Sequence, residues 1–345
     1  MKEKSSILVT GGLGYIGSHT VVELINQGYD VHIIDNLCNS DISVLDNIDR
    51  ITGIKPKFYH KDLRDLKSIT KCFQENKYYS IIHFAALKSV SESVLEPYKY
   101  YDNNIKSLEN IFFSMERFGI EKLVFSSSCT VYGQPDKLPV TENSPFKKPE
   151  SPYAETKQIS EDMISDFCRI NSNIKIISLR YFNPIGAHSS GMIGESPNGI
   201  PENLVPYITQ TALGKLDFLK VYGDDYKTHD GTAIRDYIHI EDLSNAHVKA
   251  LDRLLNKKKL DSNYEYYNIG TGTGYSVKDV IRSFEKVSKT KLNYKILGRR
   301  DGDIEKIYAD TNKSLDKLNW SAKKNLDDMM ESAWKWQKNN YKNEL

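Results

Sequence analysis

The chain has 345 residues, enough for one large or two medium domains with their own cores. Its 47 lysines and arginines balance 46 aspartates and glutamates, so no strong field favours nucleic acid or a membrane surface, and a small molecule is the expected partner. No apolar run approaches the roughly 20 residues that cross a bilayer. The four cysteines form neither a C-x-x-C pair nor a dense framework, so we expect a soluble, untargeted protein of the reducing cytoplasm.

Short apolar runs in the first half of the chain alternate with helical patterns. Strands are predicted at residues 7–9, 31–34, 57–59, 81–84, 123–125 and 176–179. Helices, such as those predicted at residues 18–27 and 105–118, lie between them. This alternation predicts an α/β fold with a Rossmann-type, doubly wound parallel sheet.

The pattern changes in the second half. Residues 186–201 are rich in glycine, proline, asparagine and serine, and helix and strand patterns are intermixed after them. We therefore predict a first domain of residues 1–185 and a smaller, mixed α/β domain of residues 186–345. Some segments, such as residues 234–250, are expected to return to the first domain.

A glycine-rich turn follows the first predicted strand and opens the first helix. Its glycines include the G-x-G-x-x-G spacing and are Gly11, Gly12, Gly14 and Gly17. Such a turn lets a pyrophosphate approach the backbone at a helix N-terminus. Asp35 ends the second strand, where a carboxylate can bind an adenine ribose and repel a 2′-phosphate. Each feature alone also fits an ordinary turn, but their joint spacing predicts NAD rather than NADP.

A helix is predicted to begin at Ser151, a good N-cap, with Pro152 in its first position. Tyr153 and Lys157 then lie four residues apart on one face. A nearby ammonium lowers the pKa of a phenol, so this pair can make Tyr153 a base near neutral pH. An isolated Y-x-x-x-K pattern also occurs on ordinary solvated helices.

Two loops follow later strands, at the edge of the sheet where ligands bind in doubly wound folds. Residues 84–88 contain two alanines that let the backbone pass beside a dinucleotide, and ordinary tight packing is the alternative. Residues 126–128 are serines. One of them can bond a substrate oxygen beside Tyr153, although a serine run is otherwise usually a turn.

These features together resemble the extended short-chain dehydrogenase/reductase family. The matching segments are residues 10–17, 84–88, 126–133, 153–157 and 180–184. Further strings resemble family members that act on UDP-hexoses, at residues 35–40, 100–104, 230–232, 235–239 and 299–303. The resemblance implies a homodimeric isomerase of galactose metabolism that uses NAD to interconvert UDP-glucose and UDP-galactose through a transient 4-keto sugar.

The resemblance also implies roles for individual residues. Tyr153 is the expected base, Lys157 binds the nicotinamide ribose and lowers the Tyr153 pKa, and Ser128 bonds the reacting hydroxyl. NAD contacts are expected from Gly11, Gly12, Gly14, Tyr15, Ile16, Gly17, Asp35, Asn36, Leu37, Cys38, Asn39, Ser40, Asp62, Leu63, Phe84, Ala85, Ala86, Leu87, Lys88, Asn103, Ser128, Tyr153, Lys157 and Phe182. UDP-sugar contacts are expected from Lys88, Ser128, Tyr153, Asn183, Asn203, Leu204, Tyr222, Arg235, Arg300, Asp303 and Ile307. No metal site is predicted.

The chemistry of the two arginines leaves two interpretations open. The guanidinium groups of Arg235 and Arg300 suit the oxygens of a diphosphate. Surface ion pairing with Asp236 or Asp301 is the alternative.

The substrate and the reaction also have alternatives. Dehydratases of the family carry an Asp-Glu pair where Cys129 and Thr130 stand here, so 4,6-dehydration is less favoured. A non-catalytic NAD-binding protein is also less favoured, because Tyr153, Lys157 and Ser128 are all present. In the family, the residue at the position of Ile307 determines which size of sugar C2 substituent the pocket accepts. Isoleucine is intermediate in size between the large aromatic residue that excludes N-acetyl groups and the small residue that admits them. An epimerase of UDP-GlcNAc and UDP-GalNAc, or of both sugar classes, is therefore an alternative. Glu202 stands where related sequences often have asparagine.

Overall fold

The computed structural model describes residues 6–255, 260–300 and 303–344. The chain forms two compact units. The first comprises Met1–Gly133, Pro145–Arg180 and Ser244–Tyr267, and the second comprises Gln134–Ser144, Tyr181–Leu243 and Asn268–Leu345. Among the described residues, no helix is long and apolar enough to cross a membrane.

The strands, in chain order, are β1 (Ser6–Thr10), β2 (Asp30–Asp35), β3 (Lys57–His60), β4 (Tyr78–His83), β5 (Lys122–Ser128), β6 (Lys175–Tyr181), β7 (Asn183–Ile185), β8 (Leu219–Tyr222), β9 (Ile234–His239), β10 (Tyr264–Ile269), β11 (Gly274–Ser276), β12 (Tyr294–Leu297) and β13 (Lys306–Ile307). All six strands predicted from the apolar runs are confirmed as β1 to β6, with shifted ends. Apart from β3, whose residues are partly or fully exposed, these strands are largely buried on both faces of the sheet, as apolar runs in parallel sheets are.

The helices are α1 (Tyr15–Asn26), α2 (Ser43–Thr52), α3 (Leu66–Glu75), α4 (Val90–Leu95), α5 (Pro97–Phe118), α6 (Pro152–Ile170), α7 (Leu204–Ala212), α8 (Ile240–Leu255), α9 (Val277–Ser288), α10 (Asn312–Leu318) and α11 (Leu326–Glu344). The predicted helices at residues 18–27 and 105–118 are confirmed as parts of α1 and α5. Helix α1 begins earlier than predicted, directly after Gly14.

A seven-stranded sheet has the order β10-β6-β5-β4-β1-β2-β3. Its strands β3, β2, β1, β4 and β5 pair in parallel. The chain order reverses between β1 and β4, so the loops after these two strands lie at the switch point where doubly wound sheets bind ligands. The Rossmann-type fold predicted from the sequence is confirmed.

The core beside this sheet is built from side chains of several helices and strands. Buried members from α5 and α6, such as Ile111, Phe112, Ile164 and Phe167, belong to one cluster with Leu8 of β1. The rings of Phe112 and Phe167 stack with their centres 4.2 Å apart. This packing fixes α6 against its neighbours, and therefore fixes the residues that it carries.

The second unit has smaller sheets. Strand β9 pairs with β11 on one side and β13 on the other, and also with β7. Strands β8 and β12 form a separate parallel pair. The core of this unit contains Ile208, Val221, Phe284 and Met330. The functional division of the chain at residue 185 stays a prediction.

Candidate active site

The glycine-rich turn lies against the loop that follows β4. Gly11 has φ +67°, a left-handed conformation that favours glycine, and a Cβ atom there would lie 2.8 Å from the backbone nitrogen of Ala85. A Cβ atom on Gly17 would lie 2.9 Å from the Cα of Gly12, and closer still to the carbonyl oxygen of Gly11. The turn therefore brings the loop of residues 84–88 and the N-terminus of α1 together in a way that only glycine permits.

The carboxylate of Asp35 joins the glycine turn to the segment after β2. It accepts hydrogen bonds from the backbone nitrogens of Leu13 (3.1 Å) and Leu37 (2.9 Å), and from the hydroxyl of Ser40 (2.9 Å). A carboxylate has about four acceptor sites, so Asp35 retains capacity for a ligand hydroxyl. Leu37 itself has φ +60°.

The next predicted cofactor residues extend from this segment. Asn36 donates to Asp62 (3.1 Å), and ion pairing with Arg64 lowers the Asp62 pKa to about 2, so this carboxylate is ionised near neutral pH. Leu63 is buried beside Asp62. Cys38 and Asn39 are exposed.

Asn104 fixes the loop after β4, and sequence reasoning did not single it out. Its side chain accepts from the Leu87 nitrogen (2.8 Å) and donates to the Leu87 carbonyl (3.0 Å) and the Thr156 hydroxyl (3.0 Å). The neighbouring Asn103 donates to it at 3.0 Å. Asn104 thus connects the predicted cofactor loop to α6, the helix that carries Tyr153.

These residues fit a dinucleotide. The turn at Gly11 and Gly17 leaves the backbone accessible to a pyrophosphate, α1 presents its N-terminus, and Asp35 offers an acceptor for ribose hydroxyls. Lys88 of the same region is exposed.

Helix α6 begins as predicted. The Ser151 hydroxyl accepts from the Ala154 nitrogen at 3.2 Å, and Pro152 takes the first helical position. Tyr153 and Lys157 therefore lie on the same face, with the Lys157 Nζ 5.9 Å from the centre of the Tyr153 ring.

Lys157 is buried, with 4% of its surface exposed. Its Nζ donates to the carbonyl oxygen of Ser126 at 2.7 Å and lies 5.0 Å from the centre of the Phe125 ring. Burial lowers the Lys157 pKa to about 8, and the negative charge of Glu161 acts in the opposite direction.

The pKa of Tyr153 moves upward. Burial raises it to about 12, while hydrogen bonding with the Ser128 side chain acts to lower it. This is opposite to the lowering that the tyrosine–lysine pattern predicts. The reason is burial of the phenol, which disfavours its ionised form more than the bond with Ser128 favours it.

Ser128 ends β5 and begins a 3-10 turn, Cys129–Tyr132. Its hydroxyl accepts from the Thr130 nitrogen at 3.2 Å. The structure therefore brings Ser128, Tyr153 and Lys157 together at the carboxyl end of one strand. Cys129 is buried and is not part of a disulfide.

In the second unit, predicted substrate residues gather around Asp303. Arg300 donates to both Asp303 oxygens, at 3.0 and 3.1 Å, and Arg235 lies 3.6 Å from one of them. The Arg300 guanidinium also lies 4.8 Å from the centre of the Tyr222 ring. About half of the Arg300 side chain is exposed (52%), whereas Arg235 is largely covered.

The suggested ion pair between Arg235 and Asp236 is wrong. Asp236 is buried, and its carboxylate accepts from the backbone nitrogens of Thr271 (2.8 Å), Gly272 (3.0 Å) and Ala309 (3.1 Å). Successive side chains of a strand point to opposite faces, which separates Asp236 from Arg235. The other suggested partner, Asp301, lies outside the described residues.

Ile307 lies in β13, where it pairs with Arg235 of β9, and only 2% of its surface is exposed. Its strand is held by the bond between Asp236 and the Ala309 nitrogen.

The other predicted substrate residues lie elsewhere in the second unit. Asn183 starts β7 and pairs with Tyr237 of β9. Asn203 precedes α7, which starts at Leu204, and its side chain donates to Glu195 at 2.6 Å. Glu202 is exposed. Phe182, predicted to contact the cofactor, is buried in this unit and donates its backbone nitrogen to the Ile269 carbonyl.

Tyr226 is a further residue that sequence reasoning missed. Its hydroxyl is buried and finds no hydrogen-bond partner within the described residues. The Arg299 guanidinium lies 4.1 Å from the centre of its ring, and a Cβ atom on Gly223 would contact the ring edge. In the sequence, its only signal is that it lies four residues after Tyr222, an expected substrate contact.

One group of ligand-type side chains occurs in the part of the chain that the structure describes. His229, Asp230 and Asp279 place potential ligand atoms within 4.8 Å of one another. Arg282 already lies against both carboxylates, at 3.5 Å from Asp230 and 2.5 Å from Asp279. The carboxylates are therefore part of an ion-pair network.

The chain is similar to known proteins over almost its whole length. The family model for GDP-mannose 4,6 dehydratase matches residues 8–333. A UDP-glucose 4-epimerase of Pasteurella multocida (strain Pm70) is 49% identical over 337 residues, covering 98% of each chain.

Solved structures give the same result. One is a UDP-glucose 4-epimerase from Stenotrophomonas maltophila with bound NAD and formylated UDP-arabinopyranose. Its TM-score is 0.95 at 45% identity, over 98% of this chain and 99% of that one. Another, from Bifidobacterium longum in complex with NAD+ and UDP, has a TM-score of 0.93 at 44% identity, over 98% and 99% of the two chains. The chain therefore belongs to the GDP-mannose 4,6 dehydratase family of extended short-chain dehydrogenases/reductases, and within it to the UDP-glucose 4-epimerases.

Proposed function

We propose that this chain is an NAD-dependent isomerase that interconverts UDP-glucose and UDP-galactose through a transient 4-keto sugar. The observation that carries the proposal is the meeting of Tyr153, Lys157 and Ser128 at the end of β5, in the unit that also contains the glycine turn and Asp35. Relatives that match nearly the full chain carry the same activity in their names.

The glycine turn and Asp35 would hold the dinucleotide, with its pyrophosphate at the N-terminus of α1. NAD, when bound, supplies a cationic nicotinamide ring that accepts the C4 hydride and later returns it. Positive charge beside a phenol lowers its pKa, which offsets the burial that raises the pKa of Tyr153.

Tyr153 is the proposed base. Its phenolate oxygen takes the proton of the sugar 4-hydroxyl. After the keto sugar has turned and hydride has returned to the opposite face of C4, the phenol gives the proton back to the C4 oxygen. Ser128 bonds the same sugar oxygen and orients it. Lys157 is fixed by the Ser126 carbonyl, where its ammonium can bind ribose hydroxyls and stabilise the phenolate.

The arginines of the second unit are the proposed diphosphate ligands. Arg300 is half exposed and already makes a paired contact with the Asp303 carboxylate, a geometry that suits phosphate oxygens equally well. Tyr222 supplies an aromatic surface beside Arg300. The Tyr226 hydroxyl offers a further donor.

The dehydratase alternative needs an acid and a base beside the sugar. At the two positions concerned, Cys129 is a buried thiol and the Thr130 hydroxyl is buried without a partner among the described residues. Neither supplies a carboxylate, so the acid and base pair of the dehydratases is missing and epimerisation is favoured over 4,6-dehydration.

A second candidate substrate pair is UDP-GlcNAc and UDP-GalNAc. Ile307 favours this possibility more than a large aromatic residue would, because it fills less of the space beside the sugar. We rank UDP-galactose and UDP-glucose first.

We also infer a homodimer in the cytoplasm. Apolar side chains are exposed where α4 meets α5, including Leu95 (81% exposed) and Tyr98 (86%), and a second copy could cover them. None of the four cysteines is part of a disulfide, which suits a reducing compartment. Light scattering after size-exclusion chromatography tests the dimer, and a mass of one chain would contradict it.

The decisive experiment for the function is separate incubation with UDP-galactose and UDP-GalNAc, followed by chromatographic separation of the epimers. We expect UDP-glucose from the first at the higher rate. Equal or faster conversion of UDP-GalNAc would overturn the ranking. A 4-keto-6-deoxy product would indicate a dehydratase, and NAD binding without any conversion would indicate a non-catalytic protein.

A further inference from the structure

Helix α6 places three functional groups on one face at four-residue spacing, Tyr153, Lys157 and Glu161. The first two are assigned roles in the proposed reaction, and the third is not. Ser127, which lies between the serines that contact Lys157 and Tyr153, donates its hydroxyl to the Glu161 carboxylate at 2.5 Å. Each of the three serines that end β5 therefore meets one of these three residues of α6.

Glu161 is buried together with Arg180 of β6. The Arg180 guanidinium donates to both Glu161 oxygens, at 2.6 and 3.0 Å, and the two side chains are only 3–4% exposed. The guanidinium also lies within 4.2 to 5.2 Å of the ring centres of Tyr132, Phe146 and Tyr266. Burying such a pair is costly, and an apolar pair of equal volume would often be at least as stable. Stability alone is therefore a weak explanation for its presence.

The charge of Glu161 acts on Lys157, one helical turn away. The groups around the Lys157 ammonium are Glu161 and Tyr153 of α6, the Ser126 carbonyl of β5, and His83 of β4. His83 is neutral near pH 7, since burial and the Lys157 charge lower its pKa to about 3. Burial lowers the Lys157 pKa, and Glu161 opposes that effect.

We propose that Glu161, held by Arg180, is a positioning residue that fixes the serine run against α6 and preserves the positive charge of Lys157. The proposal rests on the roles given above to Tyr153, Lys157 and Ser128. Glu161 contributes through Lys157 and Ser127, and it does not itself touch the reacting sugar.

The test is the Glu161→Gln variant, which keeps the size of the side chain and an oxygen acceptor for Ser127 but removes the charge. Asp162→Asn is the matched control, because it removes the same charge from the next, exposed residue of α6. The first readout is the pH profile of kcat for UDP-galactose. The second is the NMR titration of the Lys157 Cε signal, assigned with Lys157→Arg, which needs no turnover.

We expect the Lys157 midpoint and the alkaline limb of the kcat profile to lie about one pH unit lower in Glu161→Gln, and unchanged in Asp162→Asn. Glu161→Asp, which restores the charge, should recover the wild-type midpoint. A loss of kcat that is equal at all pH values, with an unchanged Lys157 midpoint, would overturn the proposal and leave Glu161 a packing residue.

Two other outcomes can be distinguished from a failure of the Glu161 proposal. If the wild-type chain converts no UDP-sugar, the proposed function fails, and the Lys157 titration still decides the role of Glu161. If Glu161→Gln does not fold because Arg180 is left unpaired, the Glu161→Gln, Arg180→Met double variant removes both charges. It must still lower the Lys157 midpoint, and a wild-type midpoint in it would refute the proposal.

Discussion

Gly17→Ala changes the contact between the glycine turn and the first turn of α1. The new Cβ atom would lie 2.9 Å from the Gly12 Cα and 3.0 Å from the Gly11 carbonyl carbon, with the Gly11 oxygen closer still. These are backbone atoms, so no side chain can move aside. Overpacking of this kind lowers the free energy of unfolding by about 1–3 kcal/mol.

The same displacement reaches the proposed pyrophosphate site, because α1 must move away from the turn. The interaction of an anion with a helix N-terminus reaches about 2 kcal/mol when partly buried. Losing most of it weakens NAD binding about tenfold, equivalent to about 1.4 kcal/mol. Saturation at 100 times the wild-type Kd raises the free energy of unfolding by about 2.7 kcal/mol, and a tenfold weaker complex gives only about 1.4 kcal/mol.

Gly28→Ala is the matched control at the other end of α1. Gly28 has φ +85°, and a Cβ atom there meets nothing within 4 Å. The Gly28→Ala substitution lowers the free energy of unfolding by about 1–2 kcal/mol through conformational strain, and this strain arises far from the glycine-rich turn. Urea denaturation with and without NAD separates the two effects. We expect both variants to lose stability and only Gly17→Ala to lose NAD stabilisation. Wild-type NAD stabilisation in Gly17→Ala, or an equal loss in Gly28→Ala, would refute the reasoning.

Three further substitutions test separate parts of the proposed site. Tyr153→Phe should keep NAD bound but lose at least 100-fold in kcat, about the contribution of a general base; near-wild-type turnover would remove Tyr153 as the base. Asp35→Ala should narrow the preference for NAD over NADP, measured as the ratio of their Kd values, because the repelling carboxylate is gone; an unchanged ratio would speak against its role. Arg300→Met should raise the KM for UDP-galactose about tenfold or more and leave NAD affinity unchanged, since charge-assisted hydrogen bonds contribute about 1.5–3 kcal/mol. An unchanged KM would remove Arg300 from the diphosphate site.

Local features of this protein could be predicted from the sequence. The N-cap at Ser151 depends only on its neighbours, and the hydroxyl does accept from Ala154. Five of the six strands of the first half follow from apolar runs that the sheet largely buries on both faces, and the sixth, β3, is an exposed strand at the edge of the sheet. The spacing of Tyr153 and Lys157 needed only the helical period.

Long-range contacts could not be predicted in this way. Asn104 meets Thr156, 52 positions further along the chain, and no periodicity links the two. Glu161 lies one helical turn after Lys157, a spacing that the sequence shows, but its burial depends on Arg180 from β6. The direction of the Tyr153 pKa shift also depends on burial, which a residue pattern does not report.

The substrate residues of the second unit were the hardest to interpret. Arg300 meets Asp303 only three positions further along the chain, whereas the approach of Arg235 to the same carboxylate is a long-range contact that accompanies the pairing of β13 with β9. Sequence alone slightly favours surface ion pairing with Asp236 or Asp301, but the Asp236 carboxylate is buried and bonded to other partners.

The central claim is that hydride leaves C4 of the sugar and returns to the same carbon. Turnover of UDP-galactose that carries deuterium at C4, in ordinary water, tests this claim directly by mass spectrometry and NMR of the UDP-glucose formed. The account predicts that the product keeps the deuterium at C4. Product that carries hydrogen from solvent at C4 would contradict it.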